Sequence, residues 1–129
     1  MRGFTMLIDL VDNDPTAHLT IVARNDVPKL DDLQKSVGGL IEPLFTIESP
    51  EGGLISGYVN EEFYFVFENA PPTGMVVTGT RGQPWMGPMI ILGVTDEGNS
   101  RLLSRAETEW LFKNWYPTSA LDMAALRVA

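Results

Sequence analysis

An α/β chain of the α+β type, with a mixed or mostly antiparallel sheet and two to three short helices, is the fold class that three features predict. Short β-rich runs recur between Gly, Pro, Asn and Asp clusters. Two stretches carry apolar residues at helical spacing beside cap signals. The 129 residues include no cysteine, so the core must stand on packing without disulfides or thiolate metal sites. One domain over 1–129 is expected, because halves of roughly 60 residues would lie near the margin for an independent core.

Taken in order, Phe4 to Val11 is rich in apolar, β-prone residues, and Asp12-Asn13-Asp14-Pro15 breaks it. Ala17 to Ala23 places Leu19, Ile21 and Ala23 on one side and His18, Thr20 and Val22 on the other, so it predicts a half-buried strand and a hairpin with the first. Over 29–37, Leu30, Leu33 and Val37 recur at helical spacing, and Gly38-Gly39 supplies the left-handed residue that follows a helix end. Leu40 to Glu48 is a strand whose Pro43 lacks an amide donor and favours an edge, a bulge or a bend. The turn at 49–53 returns the chain into a strand over 54–60.

Phe63 to Phe67 has the strongest strand composition in the chain, with a buried helical turn as the alternative. Met75 to Thr80 predicts a short strand, Arg81 to Pro88 an irregular loop, and Met89 to Thr95, without polar alternation, a central strand. Ser104-Arg105-Ala106-Glu107 matches a capping box that opens a helix striped by Trp110, Leu111 and Trp115 and stopped at Pro117. A weaker helical tail over 119–128 completes the C-terminal helices of 104–128.

Charge narrows the function. The chain has 17 acidic and 9 basic residues, net −8. Residues 1–100 hold 14 acids and 5 bases and the remainder 3 acids and 4 bases, so the acidity belongs to the body of the domain. Such a surface repels phosphate backbones, which argues against direct nucleic-acid binding. No signal peptide is evident, and no apolar run approaches the ~20 residues of a membrane helix. A soluble protein in the reducing cytoplasm of a host is the expectation, with no membrane partner.

No catalytic constellation is legible. Asp9, Asp12 and Asp14 cluster at the first turn but lack the Gly and distal Glu of a calcium loop. His18 is the only histidine, which excludes a multi-His zinc site, and its place on a strand suits a packed or surface residue better than a lone base. The adjacent Glu61 and Glu62 would point to opposite faces of a strand, and Glu68 stands six residues beyond Glu62. The glycines form neither a dinucleotide fingerprint nor a phosphate loop, so no cofactor and no metal is expected. Arg81, Trp85 and Met86 stand on a Gly- and Pro-rich segment and are the candidate interaction loop, Trp85 folded over a sheet edge being the equal alternative.

The run Leu33-Gln34-Lys35-Ser36-Val37-Gly38-Gly39-Leu40-Ile41-Glu42 resembles the hallmark of a small domain-of-unknown-function family found in phages, plasmids and integrated elements. In that family a helix ends in Val-Gly-Gly, and an apolar residue, Ile and Glu begin the next strand. The similarity extends through Tyr58 to Glu62, Asn69, Pro71 and Gly87 to Gly93, covering roughly residues 30–98. The chain departs from the family at Phe63 to Phe67, where relatives carry a shorter, more polar segment.

The resemblance implies no assigned activity. It marks Gln34, Glu42, Asn60, Glu61 and Asn69 as the matching polar positions. A phage or mobile-element protein that binds a host protein is the expected function, rather than an enzyme. An acidic mimic of nucleic acid is one alternative. Another is a small-ligand or nucleotide-signal binder, in which the ligand sits between protomers of a homo-oligomer.

Overall fold

The structure is a computed structural model and describes residues 3–10, 17–70, 72–78, 81–116 and 124–128. Strands β1 (Gly3–Leu10) and β2 (Ala17–Arg24) form the expected antiparallel hairpin, in unbroken register from Gly3 opposite Arg24 to Leu10 opposite Ala17. Helix α1 (Leu30–Val37) follows, its Lys29 amide donating to the Asp32 carboxylate at 3.1 Å. Gly38, at φ +80°, takes the left-handed conformation that closes the helix, and its amide donates to the Gln34 carbonyl at 2.9 Å.

Strands β3 (Ile41–Glu48) and β4 (Leu54–Asn60) pair antiparallel, with a register shift between Pro43 and Phe45 where the imino acid was expected to break the ladder. The segment of strongest strand composition is instead a single helical turn, α2 (Phe63–Val66). The spacing of four residues explains the difference. Phe63 is buried, Phe67 packs against the same core cluster, and the Phe67 amide donates to the Phe63 carbonyl at 3.0 Å, whereas a strand would have buried Phe65 as well.

Strands β5 (Gly74–Thr78) and β6 (Arg81–Trp85) form a second antiparallel hairpin, so most of the expected irregular loop is strand. Then come β7 (Met89–Val94), β8 (Ser100–Arg101), helix α3 (Arg105–Asn114), β9 (Trp115–Tyr116) and β10 (Ala124–Val128). This end of the chain differs from expectation in two places. Trp115 belongs to β9 rather than to the helical stripe, and the tail over 124–128 is a strand lying parallel to β5, which supplies the backbone partners an isolated helical turn would lack. Positions 119–123 lie outside the described residues.

The larger sheet has six strands in the order β2-β1-β7-β4-β3, with β8 also paired to β7, and the smaller runs β6-β5-β10-β9. Strand β7 is central, and every one of its residues is buried. Alternation along the strands sends Met6, Ile8, Ile55, Val59, Met89 and Ile91 to one face, where Phe63, Trp85, Leu103 and Leu111 cover them. Ile90 and Leu92 point the other way, onto Leu33 and Val37 of α1. At about 1.5–3 kcal/mol for each large apolar side chain removed from water, these two layers carry the fold. Among the described residues no helix is long and apolar enough to cross a membrane.

Candidate functional site

Residues 33–42 and 58–62, two of the runs singled out in the sequence, meet at one corner of the larger sheet. Helix α1 ends there, β3 begins, β4 ends and α2 follows. The Gln34 carbonyl accepts from the amides of Gly38 and Gly39, at 2.9 and 3.0 Å. Asn60, buried on β4, donates from Nδ2 to the Val37 carbonyl at 3.3 Å and accepts on Oδ1 from the Glu62 amide at 2.8 Å. The Glu61 amide donates to the Leu40 carbonyl at 2.8 Å. Asn60 is therefore the internal tie of the corner, and a side chain at Gly39 would strike it, since a Cβ there would come within 2.8 Å of Nδ2.

Phe67 extends the corner to the segment after β6. A Cβ on Gly87, which has φ +79°, would lie 2.5 Å from Cε2 of that ring. Trp85 stands two residues earlier, fully buried, with Nε1–H donating to the Gly87 carbonyl at 3.1 Å. Thr73 donates its hydroxyl to the same carbonyl at 2.7 Å. The exposed-loop reading of Trp85 is thus overturned: its indole is a core group whose one donor is satisfied internally. Met86 is half-buried against the same cluster, and Arg81 stands at the start of β6.

What the corner shows to solvent is apolar. Leu40, Phe65 and Val66 are 59%, 79% and 52% exposed. Glu42, Glu61, Glu62 and Glu68 are exposed on the same elements, and so is Asn69. Between Lys35 and Arg81 the sequence has six glutamates and no basic residue. The corner thus exposes large apolar side chains together with carboxylates. Of the matching polar positions, Gln34, Asn60 and Glu61 are tied into the corner by hydrogen bonds, Gln34 and Glu61 through their backbones, while Glu42 and Asn69 stand on its exposed margin. Phe65 and Val66 escaped the sequence reading because a strand would have buried one of them; the four-residue spacing of Phe63 and Phe67 was the signal that could have found them.

A concavity of about 690 Å³ lies at the other end of the sheet, lined in part by Asp26, Glu51, Arg101, Ser104 and Glu107. Glu107 is 1% exposed yet ionised. Burial pushes its carboxyl up, but the Arg101 guanidinium, the Ser49 hydroxyl and the Ser104 amide outweigh that and hold it at about 2. The Ser49 hydroxyl donates to it at 2.6 Å and the Ser104 amide at 2.9 Å. The expected capping box is complete, because the Glu107 amide donates to the Ser104 hydroxyl at 3.1 Å, and that hydroxyl donates in turn to Glu51.

The remaining Arg101 contacts are to the carbonyls of Leu102, Gly52 and Leu54. With the guanidinium so fully engaged, this cluster staples the 49–53 turn to β8 and α3 rather than offering a donor to an anion. Of the three aspartates at the first turn, Asp9 lies on β1, its carboxyl pushed up by burial and partly countered by the Leu10 amide at 2.8 Å; Asp12 and Asp14 lie outside the described residues. His18 is exposed on β2 opposite Asp9.

An α+β domain with a corner exposing apolar side chains and carboxylates is the class these observations define. Comparison with protein-family models, with curated proteins and with solved structures gives no match to this chain.

Proposed function

We propose that this chain is a protein-binding domain that inserts Leu40, Phe65 and Val66 into an apolar, basic-rimmed pocket of a host protein. As the resemblance to phage and mobile-element proteins implies, it thereby inhibits a defence or regulatory factor. The exposure of Phe65 carries this reading. A large aromatic ring held in water on a single helical turn gains little for the monomer, while rings of this kind anchor the centres of protein interfaces. The exposed glutamates select a partner of opposite charge and speed encounter with it. The ring lies on the segment where the expected resemblance breaks off, and on this reading that segment is where the partner is chosen.

The test has two stages. Protein captured from host extract on the immobilised chain is identified and purified, and is then titrated against the native chain, Phe65→Ser and the double variant Glu61→Gln with Glu62→Gln. The expected result is about a hundredfold loss of affinity for Phe65→Ser, as for a central aromatic anchor. The double variant should weaken binding less and flatten its salt dependence. Unchanged affinity for Phe65→Ser would overturn the reading. Were the carboxylate variant alone to lose binding, the acidic surface itself would be the ligand, as in a mimic of nucleic acid.

A further inference from the structure

We infer that the open edge of β2 pairs with β2 of a second copy of this chain, joining two larger sheets into one continuous antiparallel sheet. This does not depend on the function proposed for the α1–α2 corner. A strand at the end of a sheet presents a row of unpaired N–H and C=O groups, and proteins ordinarily protect such a row with charge, proline, a bulge or shortness. The ends of the two sheets here are β2, β3, β6 and β9. Strand β3 carries Glu42, Glu48 and Pro43 with its register shift, β6 carries Arg81 and Pro84, and β9 is two residues long.

Strand β2 has none of these guards. It runs eight residues in unbroken register with β1, holds no proline, and holds no Asp, Glu, Lys or Arg before Arg24 at its end. Among the described residues it has a strand neighbour on one side only. Its side chains suit the same role, since Ile21 is 44% exposed and Ala23 is exposed beside it on the face that holds Leu19.

The rest of the molecule explains why the occupant is a copy of itself. At a net charge of −8, two copies repel across most of their surfaces, and an uncharged edge is where they can approach without setting carboxylates against one another. Antiparallel pairing of β2 with itself about Ile21 sets Ile21 opposite Ile21 and the Arg24 of each copy opposite His18 of the other, so the two arginines stay at opposite ends of the strand pair. Such pairing is isologous and closes at two copies.

The experiment is sedimentation equilibrium of the full chain from about 10 µM to about 1 mM, a range that spans weak to moderate self-association. It is run on the native protein, on Ile21→Lys, on Ile21→Glu and on an equimolar mixture of the two variants. The expected native mass rises from 14.2 kDa toward twice that value with concentration. Each variant alone dissociates at least about tenfold more readily, because like charges then face one another across the strand pair, and the mixture associates again.

Hydrogen exchange of the native protein supplies a readout that needs no variant: the β2 amides become more protected as concentration rises, while those of β3 do not. A native chain that stays at 14.2 kDa throughout overturns the inference. So does a dimer with unchanged β2 exchange, or one indifferent to both charges at position 21.

Discussion

Arg101 and Glu107 form a two-point ion pair, Nη1 to Oε1 and Nη2 to Oε2, both at 2.8 Å, with the carboxylate buried and the guanidinium about a quarter exposed. Planar groups matched in this way fix orientation as well as charge. The pair joins β8 to the first turn of α3, and through Ser49 and the Leu54 carbonyl it also holds the hairpin between β3 and β4.

Arg101→Ala therefore strands a buried carboxylate. Removing one partner of a buried pair costs about 3–5 kcal/mol, and the partial exposure of Arg101 places the expected loss near the lower end, about 3 kcal/mol. Urea unfolding measures it. Glu107→Gln should cost less, since the charge it leaves unpaired is that of Arg101, which is about a quarter exposed to water and keeps its bond to the Leu54 carbonyl, while the single amide oxygen still accepts from one of Ser49 and Ser104.

The same carboxylate sets an acid limit. Its folded pKa of about 2 lies below the ordinary 4.5, so between these values the unfolded chain binds the proton more readily. The stabilisation is complete above about pH 4.5 and is lost as the pH falls toward 2. Asp9 acts with the opposite sign: its raised pKa means that the folded state keeps its proton longer, so stability falls as the pH rises above 3.8. Denaturant midpoints from pH 2 to pH 6 should lose the acid slope in Glu107→Gln and lose the opposing contribution in Asp9→Asn.

At the α1–α2 corner, Asn60→Ala should destabilise by about 1–3 kcal/mol, because it leaves the Val37 carbonyl and the Glu62 amide without their buried partner. Asn60→Asp keeps the acceptor for the Glu62 amide but sets an oxygen against the Val37 carbonyl, so it should rescue little at neutral pH and more in acid, where the carboxyl regains a donor. Chemical denaturation at pH 4 and pH 7 separates the two variants.

Gly87→Ala tests the packing beneath the same corner. The residue has φ +79°, and a methyl group would strike the Phe67 ring at 2.5 Å, so backbone strain and displacement of Phe67 add to roughly 2–4 kcal/mol. Thermal unfolding checks the loss. Phe65→Ser, whose ring is 79% exposed, should by contrast leave the melting temperature within about 2 °C of the native value, which separates a surface role from a packing role.

Some elements were readable because local chemistry is decisive there. The Ser104 and Glu107 capping box, the left-handed Gly38, the bulge at Pro43 and the all-apolar β7 each depend on a few neighbouring residues and appeared where expected. Where a segment could satisfy two patterns, its surroundings chose. Phe63 to Phe67 had the composition of a strand, but among the described residues no neighbouring strand receives it, and the core accepts two rings spaced four residues apart. Trp85 sat among residues typical of loops, yet pairing of β6 with β5 carries its ring inward and its N–H to the Gly87 carbonyl.

The chain alone established an acidic α+β domain, its hairpins and caps, and the positions worth testing, because charge, turn chemistry and helix termini act over a few residues. Three-dimensional packing determined that Gln34, Asn60 and Glu61 share one corner with an exposed Phe65, that Arg101 neutralises a buried Glu107, and that β2 is the end strand of the larger sheet among the described residues. Each of these joins residues distant in sequence or depends on which strand lies at the end of a sheet. Such relations arise from the order in which strands assemble, and periodicity within a segment carries no record of that order.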